Sequence, residues 1–221
     1  MKLSHTPLLL TPGPLNIPLR VRQSMAGELG SRTPEFTRVY SQICQRIQSW
    51  VGHEDFVVQV IPGSATEVIE RMIRNFSRPE EPVLIFENGI YGRRLVQIAQ
   101  KWFHTVRVIS GDPFKALSID SLPSSLDLSQ FRWAMIVHCE TSSGILNSIK
   151  SLCQKLNSER IEILVDAVSS FPFCEIPWDF LSCAVSTSGK WLWGPPGLGL
   201  GFIHSRLWER PAPPDCQWNI S

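Results

Sequence analysis

One lysine stands among glycine, proline and tryptophan residues in the sequence Ser186-Thr187-Ser188-Gly189-Lys190-Trp191-Leu192-Trp193-Gly194-Pro195-Pro196-Gly197. Earlier in the chain, Asp166 ends the mainly apolar run of residues 161–165. Burial disfavours the charged form of an amine, so a lysine in such surroundings can act as a nucleophile toward a carbonyl. A carboxylate at the carboxyl end of a strand faces the crevice in which open α/β sheets bind ligands. Lys190 and Asp166 therefore indicate an α/β sheet with a ligand site at one edge.

The two residues also match what pyridoxal phosphate requires of a protein. A lysine holds the aldehyde of that cofactor, and an acid keeps its ring nitrogen protonated. The alternative is a surface lysine and an aspartate that caps a helix. Lys190 and Asp166 alone do not separate these two interpretations.

Length and composition predict one large α/β domain, or a domain and a half. The 221 residues are 43% hydrophobic and 19% charged, which indicates a sizeable core. The formal net charge is +1 and there is no long basic stripe, so nucleic acid is not expected as a partner. No apolar run approaches the roughly 18 residues of a membrane span, so no membrane is expected either.

The six cysteines are scattered, and none forms a Cys-x-x-Cys pair. This spacing disfavours both a disulfide framework and a zinc site, so no metal is expected. Buried free thiols are typical of a reducing compartment, which predicts a cytoplasmic protein.

Strand-like apolar runs alternate with helical patterns along most of the chain. This alternation predicts a three-layer α/β sandwich, in which helices cover both faces of a mostly parallel seven-stranded sheet. The predicted strands are residues 56–61, 82–87, 105–109, 133–138 and 161–165, a run near 182–186, and residues 197–203.

The chain divides into three predicted parts. Residues 1–30 contain Pro12, Gly13, Pro14 and Pro18 and are predicted to form an extended arm. Residues 31–205 form the large domain, and residues 206–221 an irregular tail. The domain opens with a helix whose N-cap is Thr33 and whose stop is Gly52. One apolar face of that helix consists of Phe36, Val39, Tyr40, Ile43, Ile47 and Trp50.

Polar residues follow the predicted strands and should meet at one edge of the sheet. Gly63-Ser64-Ala65-Thr66 stands between a strand and a helix, where free N–H groups and the helix dipole favour a phosphate. The alternative is a plain turn in which Ser64 and Glu67 form a capping box. Tyr91 follows another strand, where its ring could cover a flat ligand or pack in the core. Residues 139–144 supply a group of hydroxyls.

Eight short motifs between residue 11 and about residue 203 come in the order in which one enzyme family carries them. They are Thr11-Pro12-Gly13-Pro14, Gly30-Ser31-Arg32, Gly63-Ser64-Ala65-Thr66, Asn88-Gly89-Ile90-Tyr91-Gly92, His138-Cys139-Glu140-Thr141, Gly144-Ile145-Leu146-Asn147, Val165-Asp166-Ala167-Val168-Ser169-Ser170-Phe171, and Gly189-Lys190 with Pro195-Pro196-Gly197. The ordered set resembles the class V aminotransferases of the fold-type I pyridoxal phosphate enzymes. Within that family, the 2-aminoethylphosphonate–pyruvate transaminases are most similar, followed by alanine–glyoxylate and serine–pyruvate aminotransferases.

The resemblance implies a homodimeric transaminase that moves an amino group from a small amine to a keto acid in two half-reactions. Lys190 would hold the aldehyde of pyridoxal phosphate and later move a proton, and Asp166 would pair with the ring nitrogen. The implied cofactor contacts also include Tyr91 on the ring, Ser64, Ala65 and Thr66 around the phosphate with a hydroxyl from Ser188, and Thr141 or Ser142 at the ring hydroxyl.

The chain departs from the family pattern at three places. Ala65 replaces the second glycine of the phosphate loop, and Pro172-Phe173 replaces glycines after Asp166. The sequence ends at Ser221, before the family's C-terminal small domain and the arginine that grips the substrate carboxylate there. Arg206 and Arg210 are interpreted as surface charge.

Two other functions remain open at this point. The first is a truncated homologue that binds the cofactor but turns over weakly, or that serves as an interaction module. The second is a different class V activity, such as that of a lyase or a cysteine desulfurase. A desulfurase needs a reactive cysteine beyond the lysine, and Cys216 is the one cysteine in that position.

Overall fold

Strands and helices alternate through the computed structural model, which describes residues 7–211. All seven predicted strands are present, and a two-stranded hairpin follows the fourth of them. The helices are α1 Leu19–Ser24, α2 Pro34–Val51, α3 Ala65–Phe76, α4 Ile90–Gln100 and α5 Lys150–Ser158; the strands are β1 Phe56–Pro62, β2 Val83–Glu87, β3 Val106–Ser110, β4 Trp133–Val137, β5 Cys139–Glu140, β6 Ile145–Leu146, β7 Glu162–Asp166, β8 Cys183–Thr187 and β9 Leu198–His204.

The main sheet has seven strands in the order β1-β9-β8-β7-β4-β2-β3. Strand β9 is antiparallel to both of its neighbours, β1 and β8. The other four neighbouring pairs are parallel. Parallel neighbours require crossover connections, and α4 and α5 lie in the connections from β2 to β3 and from β4 to β7. The predicted mostly parallel seven-stranded sheet is therefore confirmed.

The strand directions bring the predicted polar clusters to one edge of the sheet. Strand β1 runs in the same direction as β8, because each is antiparallel to β9. The carboxyl ends of β1, β2, β4, β7 and β8 therefore meet at the same edge. The segments that follow them are residues 63–66, 88–91, 138–144, 167–170 and 188–197. The last of these is the loop that carries Lys190.

Two apolar layers cover the two faces of the sheet. Helices α3 and α4 contribute Met72 and Leu95 to one layer. Helices α2 and α5 contribute Ile47 and Leu152 to the other. The predicted three-layer sandwich is thus confirmed.

Two glycines in β9 allow α3 to lie close against the sheet. A Cβ at Gly199 would overlap the side chain of Val68, and a Cβ at Gly201 would overlap the end of Met72. Both contacted residues belong to α3 and are fully buried. The glycine repeat in β9 therefore serves helix packing, which in turn fixes the N-terminus of α3 at the edge that carries the predicted polar clusters.

Helix α2 begins and ends where the sequence predicts. The Thr33 hydroxyl accepts a hydrogen bond from the Phe36 N–H at 3.2 Å, and Gly52 adopts a left-handed φ of 70°. Its apolar face is only partly buried, however. Ile47 and Val51 are buried, whereas the side chains of Phe36, Tyr40, Ile43 and Trp50 are exposed.

The arm and the tail contain more regular structure than predicted. Residues of the arm form α1, and Ser205–Leu207 form a 3-10 helix at the start of the tail. The division of the chain into arm, domain and tail stays a prediction, and Cys216 lies outside the described residues. Within residues 7–211, none of the helices combines the length and the apolar character needed to cross a bilayer.

Arg206 and Arg210 are partly exposed, as their interpretation as surface charge requires, but both also pair with a buried carboxylate. Arg206 Nη2 lies 3.1 Å from Glu162 Oε2, and Arg210 pairs with the other oxygen of the same buried carboxylate. Glu162 begins β7, whereas Asp166 ends it, and a strand of this length spans about 13 Å. Both arginines therefore lie at the edge of the sheet opposite the predicted ligand site.

Candidate active site

Lys190 lies in a loop that its own backbone holds together. The Ser188 N–H donates to the Leu198 carbonyl at 3.0 Å, and the Gly194 N–H donates to the Ser188 carbonyl at 2.9 Å. The Ser188 hydroxyl donates to the Pro195 carbonyl at 2.5 Å. The hydroxyl of Ser188, which is predicted to help bind a phosphate, therefore donates its hydrogen bond within this loop.

The Lys190 amine is partly withdrawn from water. Its Nζ donates a hydrogen bond to the Pro12 carbonyl at 3.0 Å. Burial lowers the pKa of Lys190 below its ordinary value, although the nearby Asp166 and Cys139 oppose this effect. A larger share of the lysine is therefore neutral near pH 8 than for a lysine in water, as a nucleophilic amine requires.

Asp166 is a buried carboxylate without a strong partner. It is 8% exposed, and its Oδ1 accepts a hydrogen bond from the Val168 N–H at 3.0 Å. Burial raises the pKa of Asp166 to about 6, and Glu140 adds to this, whereas Arg94 and Lys190 oppose it. A cationic group bound at this carboxylate would remove most of the cost of keeping it ionised.

The turn at residues 64–66 leaves donors free at the start of α3. The Ser64 hydroxyl accepts from the Glu67 N–H at 3.2 Å, and the Ser64 carbonyl accepts from the Val68 N–H. No acceptor in the described part of the chain binds the N–H groups of Ala65 and Thr66. The reciprocal bond of a capping box is replaced by a contact of 2.6 Å between Glu67 and Arg71. The free N–H groups and the helix dipole suit an anion.

The two candidates for a hydroxyl at the cofactor ring have different surroundings. Ser142 Oγ donates to Glu140 Oε1 at 2.5 Å and accepts from the Ile90 N–H at 3.2 Å, so it is engaged within the protein. Thr141 Oγ1 lies 2.6 Å from Ser169 Oγ and lines the same cavity as Lys190. Thr141 is therefore the better placed of the two.

Tyr91 lies in the first turn of α4, half-buried against the apolar layer of that face. The guanidinium carbon of Arg94 lies 5.0 Å from the centroid of its ring. One face of the ring is therefore occupied by a cation, and the ring packs partly in the core; its contact with a flat ligand stays a prediction. Arg94 also opposes the rise in the pKa of Asp166, so it lies close to the predicted site.

Glu140 is the residue of this edge to which the sequence assigned no role. Its side chain is fully buried. One carboxylate oxygen accepts from the Tyr91 and Gly92 N–H groups, both at 3.1 Å. The other accepts from the N–H and the hydroxyl of Ser142. Glu140 therefore joins the tip of β5 to the N-terminus of α4, where the helix dipole favours a carboxylate.

We expect Glu140→Gln to lower the free energy of unfolding by about 2 kcal/mol, because an amide offers one oxygen where the carboxylate accepts four hydrogen bonds. Urea unfolding followed by circular dichroism measures this change. Glu175→Gln is the matched control, since Glu175 is exposed and pairs with Lys150 at the surface. An equal loss of stability in the two variants would contradict the role of Glu140 in joining β5 to α4.

A cavity of about 310 Å³ lies next to the lysine. Pro12 and Leu15 of the arm, Cys139 and Thr141 of the β5 region, and Lys190 and Trp191 of the loop contribute to its lining. The structure thus brings Lys190, Asp166 and Thr141 to one place, with residues 64–66 and Tyr91 at the same edge of the sheet. The sequence missed Glu140, Arg94 and the Pro12 carbonyl at this site.

Comparisons with known proteins identify the family of this chain. The family model for the class V aminotransferases matches residues 21–216. A 2-aminoethylphosphonate–pyruvate transaminase from Pseudomonas aeruginosa is 34% identical over an alignment of 217 residues, which covers 94% of this chain and 57% of the relative. The enzyme of the same name from Pseudomonas putida is 34% identical over 209 residues, with 90% and 55% covered. The chain therefore spans somewhat more than half the length of these relatives.

Solved structures show the same fold. An alanine–glyoxylate aminotransferase from Nostoc sp. superposes with a TM-score of 0.88 at 28% identity, covering 99% of this chain and 60% of that one. A ureidoglycine–glyoxylate aminotransferase from Bacillus subtilis superposes with a TM-score of 0.86 at 23% identity, covering 94% and 55%. The family model covers well over half of the sequence, and the chain belongs to the class V aminotransferase family.

Proposed function

We propose that this chain is a pyridoxal phosphate-dependent transaminase that moves an amino group from a small amine to a keto acid such as pyruvate. The donor resembles 2-aminoethylphosphonate, or is alanine or serine. The observation that carries the proposal is that Lys190 and Asp166 lie close enough to influence each other's charge, at the same edge of the sheet as the free N–H groups of Ala65 and Thr66. The names of the Pseudomonas relatives support the choice of donor and acceptor.

The residues at this edge fit the cofactor on chemical grounds. A half-buried amine suits an aldehyde, and the buried Asp166 carboxylate suits a protonated ring nitrogen. The free N–H groups of Ala65 and Thr66 suit a phosphate, even though Ala65 stands where the family has glycine. Membership of the class V family also implies pyridoxal phosphate.

Each residue has a defined task in the proposed reaction. Pyridoxal phosphate would supply the electron sink for the carbon that bears the amine. Lys190 would bind the aldehyde and would later carry the proton between that carbon and the cofactor. Asp166 keeps a proton on the ring nitrogen through a charge-assisted hydrogen bond. Residues 64–66 would bind the phosphate, Tyr91 would contact the ring, and Thr141 would hydrogen-bond the ring hydroxyl.

A second candidate function is cofactor binding with weak turnover, or a role as an interaction module. One observation favours it. Among the described residues that line the cavity, Lys190 is the one cationic side chain, and Arg206 and Arg210 are held at the opposite edge. An anionic donor or acceptor therefore has no arginine clamp within the described cavity, and such a clamp contributes much to substrate orientation.

The proposal includes a homodimer in the cytoplasm. The exposed apolar side chains on α2, including Phe36, Ile43 and Trp50, support an association surface. The five cysteines of residues 7–211 are all free, which supports a reducing compartment. Sedimentation velocity of the purified chain measures its oligomeric state directly.

Two measurements on purified protein test the proposed function. Borohydride reduction in the presence of pyridoxal phosphate, followed by mass spectrometry, should place the cofactor mass on Lys190. Incubation of a separate, unreduced sample with pyridoxal phosphate, a keto acid and 2-aminoethylphosphonate, alanine or serine should give the transaminated products. A cofactor mass on another lysine contradicts the site. A correct cofactor mass without turnover with any donor favours the second candidate function.

A further inference from the structure

The turn at residues 11–14 lies directly on the lysine of the site. The Pro12 carbonyl accepts the hydrogen bond from Lys190 Nζ at 3.0 Å. A Cβ at Gly13 would lie 2.8 Å from Nζ and 2.9 Å from Cδ and Cε of the same lysine. The turn can therefore approach this closely only because residue 13 has no side chain.

Hydrogen bonds within the arm hold this turn in shape. The Thr11 hydroxyl donates to the Pro14 carbonyl at 3.0 Å. At the base of the loop, Asn16 accepts from the Leu9 N–H at 2.7 Å and donates to the Pro7 carbonyl at 2.9 Å. The Asn16 side chain thus closes the loop that presents the Pro12 carbonyl to the lysine. The arm is a preformed structure at this point rather than a loose extension.

We propose that the 11–14 turn is a positioning element for Lys190, which aims the amine through the Pro12 carbonyl and shields it from water by covering one side of its cavity. The inference deepens the proposed function, in which Lys190 is the nucleophile. A hydrogen bond at Nζ restricts the rotamers of a long side chain, and a restricted amine reacts from a defined direction. The shielding keeps a larger share of the amine neutral.

Two titratable groups oppose the lowering of the Lys190 pKa by burial. The titratable groups that act on Lys190 are Asp166 at the end of β7 and Cys139 in β5, and both favour the charged amine. The described arm residues that line the cavity, Thr11, Pro12 and Leu15, carry no charge. The arm therefore acts on the lysine by desolvation and through one carbonyl, and its displacement should return the amine toward the behaviour of a lysine in water.

Competitive labelling with acetic anhydride tests the inference in the full chain without any cofactor. Only the neutral amine reacts, forming an amide and releasing acetate and a proton, so labelling across a pH series gives the midpoint at which Lys190 becomes reactive. Lys101, an exposed lysine at the end of α4, serves as the internal standard. Gly13→Ala should move the Lys190 midpoint to higher pH, because its methyl group separates the turn from the lysine.

Two further variants make the result specific. Asn16→Ala opens the loop without touching Lys190 and should move the midpoint in the same direction. Gly27→Ala is the matched control, because a Cβ there would meet only the Ser24 carbonyl, at 3.9 Å. It should leave the midpoint unchanged. An unchanged Lys190 midpoint in both Gly13→Ala and Asn16→Ala, with native circular dichroism, overturns the inference. Because no cofactor or substrate is used, this outcome is independent of the test of the proposed function.

Discussion

Lys190→Met is expected to abolish the borohydride-trapped cofactor and to lower transamination by at least about 10³-fold, because in the proposed function the lysine supplies both the nucleophile and the proton carrier. Methionine keeps the length and the apolar stem of the side chain without its amine. The loss should be larger than for any other single change at the site, since no second lysine lines the described cavity. Single-turnover measurements with a reactive amine donor separate this chemical defect from a defect in binding.

Lys101→Met is the matched control for this prediction. Lys101 follows α4 and is exposed, so its replacement should leave cofactor attachment and turnover unchanged. Cofactor binding without covalent attachment should survive in Lys190→Met, because Asp166 and residues 64–66 remain. Trapping of the cofactor in Lys190→Met to the wild-type extent would contradict the assignment of Lys190.

The sheet and its ligand edge were predictable because their causes are local in the sequence. Each strand is a short apolar run, and each cluster of polar residues comes directly after a strand. Parallel strands then bring these clusters together without further information, as Asp166 and the loop that carries Lys190 illustrate. The start of α2 was predictable for the same reason, since Thr33 caps a helix within three residues of itself.

The contacts that the sequence did not reveal join residues far apart in the chain. Glu140 binds the start of α4 across a gap of 48 and 49 residues, and Lys190 binds Pro12 across 178 residues. The pairing of Arg206 with Glu162 is of the same kind. No periodicity or local motif encodes such pairs. A carboxylate in the cluster after β4 was a signal for Glu140, because a helix N-terminus at the same edge attracts an acid.

Asp166→Asn is expected to stabilise the cofactor-free protein above about pH 6 while weakening catalysis. The pKa of Asp166 is raised to about 6 in the folded chain, well above the value of about 3.9 expected in the unfolded chain. Between these two values the folded state holds the proton more tightly, so the stability contributed by this group falls as the pH rises. Asparagine cannot ionise, so it removes the loss of folding stability that ionised Asp166 causes, which is on the order of 2–3 kcal/mol above pH 6.

Urea unfolding of the cofactor-free proteins at several pH values measures this effect. The variant and the wild type should be equally stable near pH 4 and should diverge as the pH approaches 7. Burial lowers the pKa of His138 to about 4, so this residue also titrates in the range, but it is common to both proteins and cancels in the difference. Asp112→Asn, at an exposed aspartate, is the control and should show no such divergence.

The catalytic effect of Asp166→Asn has the opposite sign, and this contrast distinguishes a functional aspartate from a structural one. Asparagine keeps the oxygen that accepts from the Val168 N–H, so the fold around β7 should persist. It cannot hold a proton on the ring nitrogen, however, and the loss of that charge-assisted bond should lower the single-turnover rate by about 10²-fold or more. A protein whose stability rises while its rate falls retains a costly buried carboxylate for the reaction. A variant that is less stable than the wild type at pH 7.5, or that reacts at the wild-type rate, would show that Asp166 does not have this role.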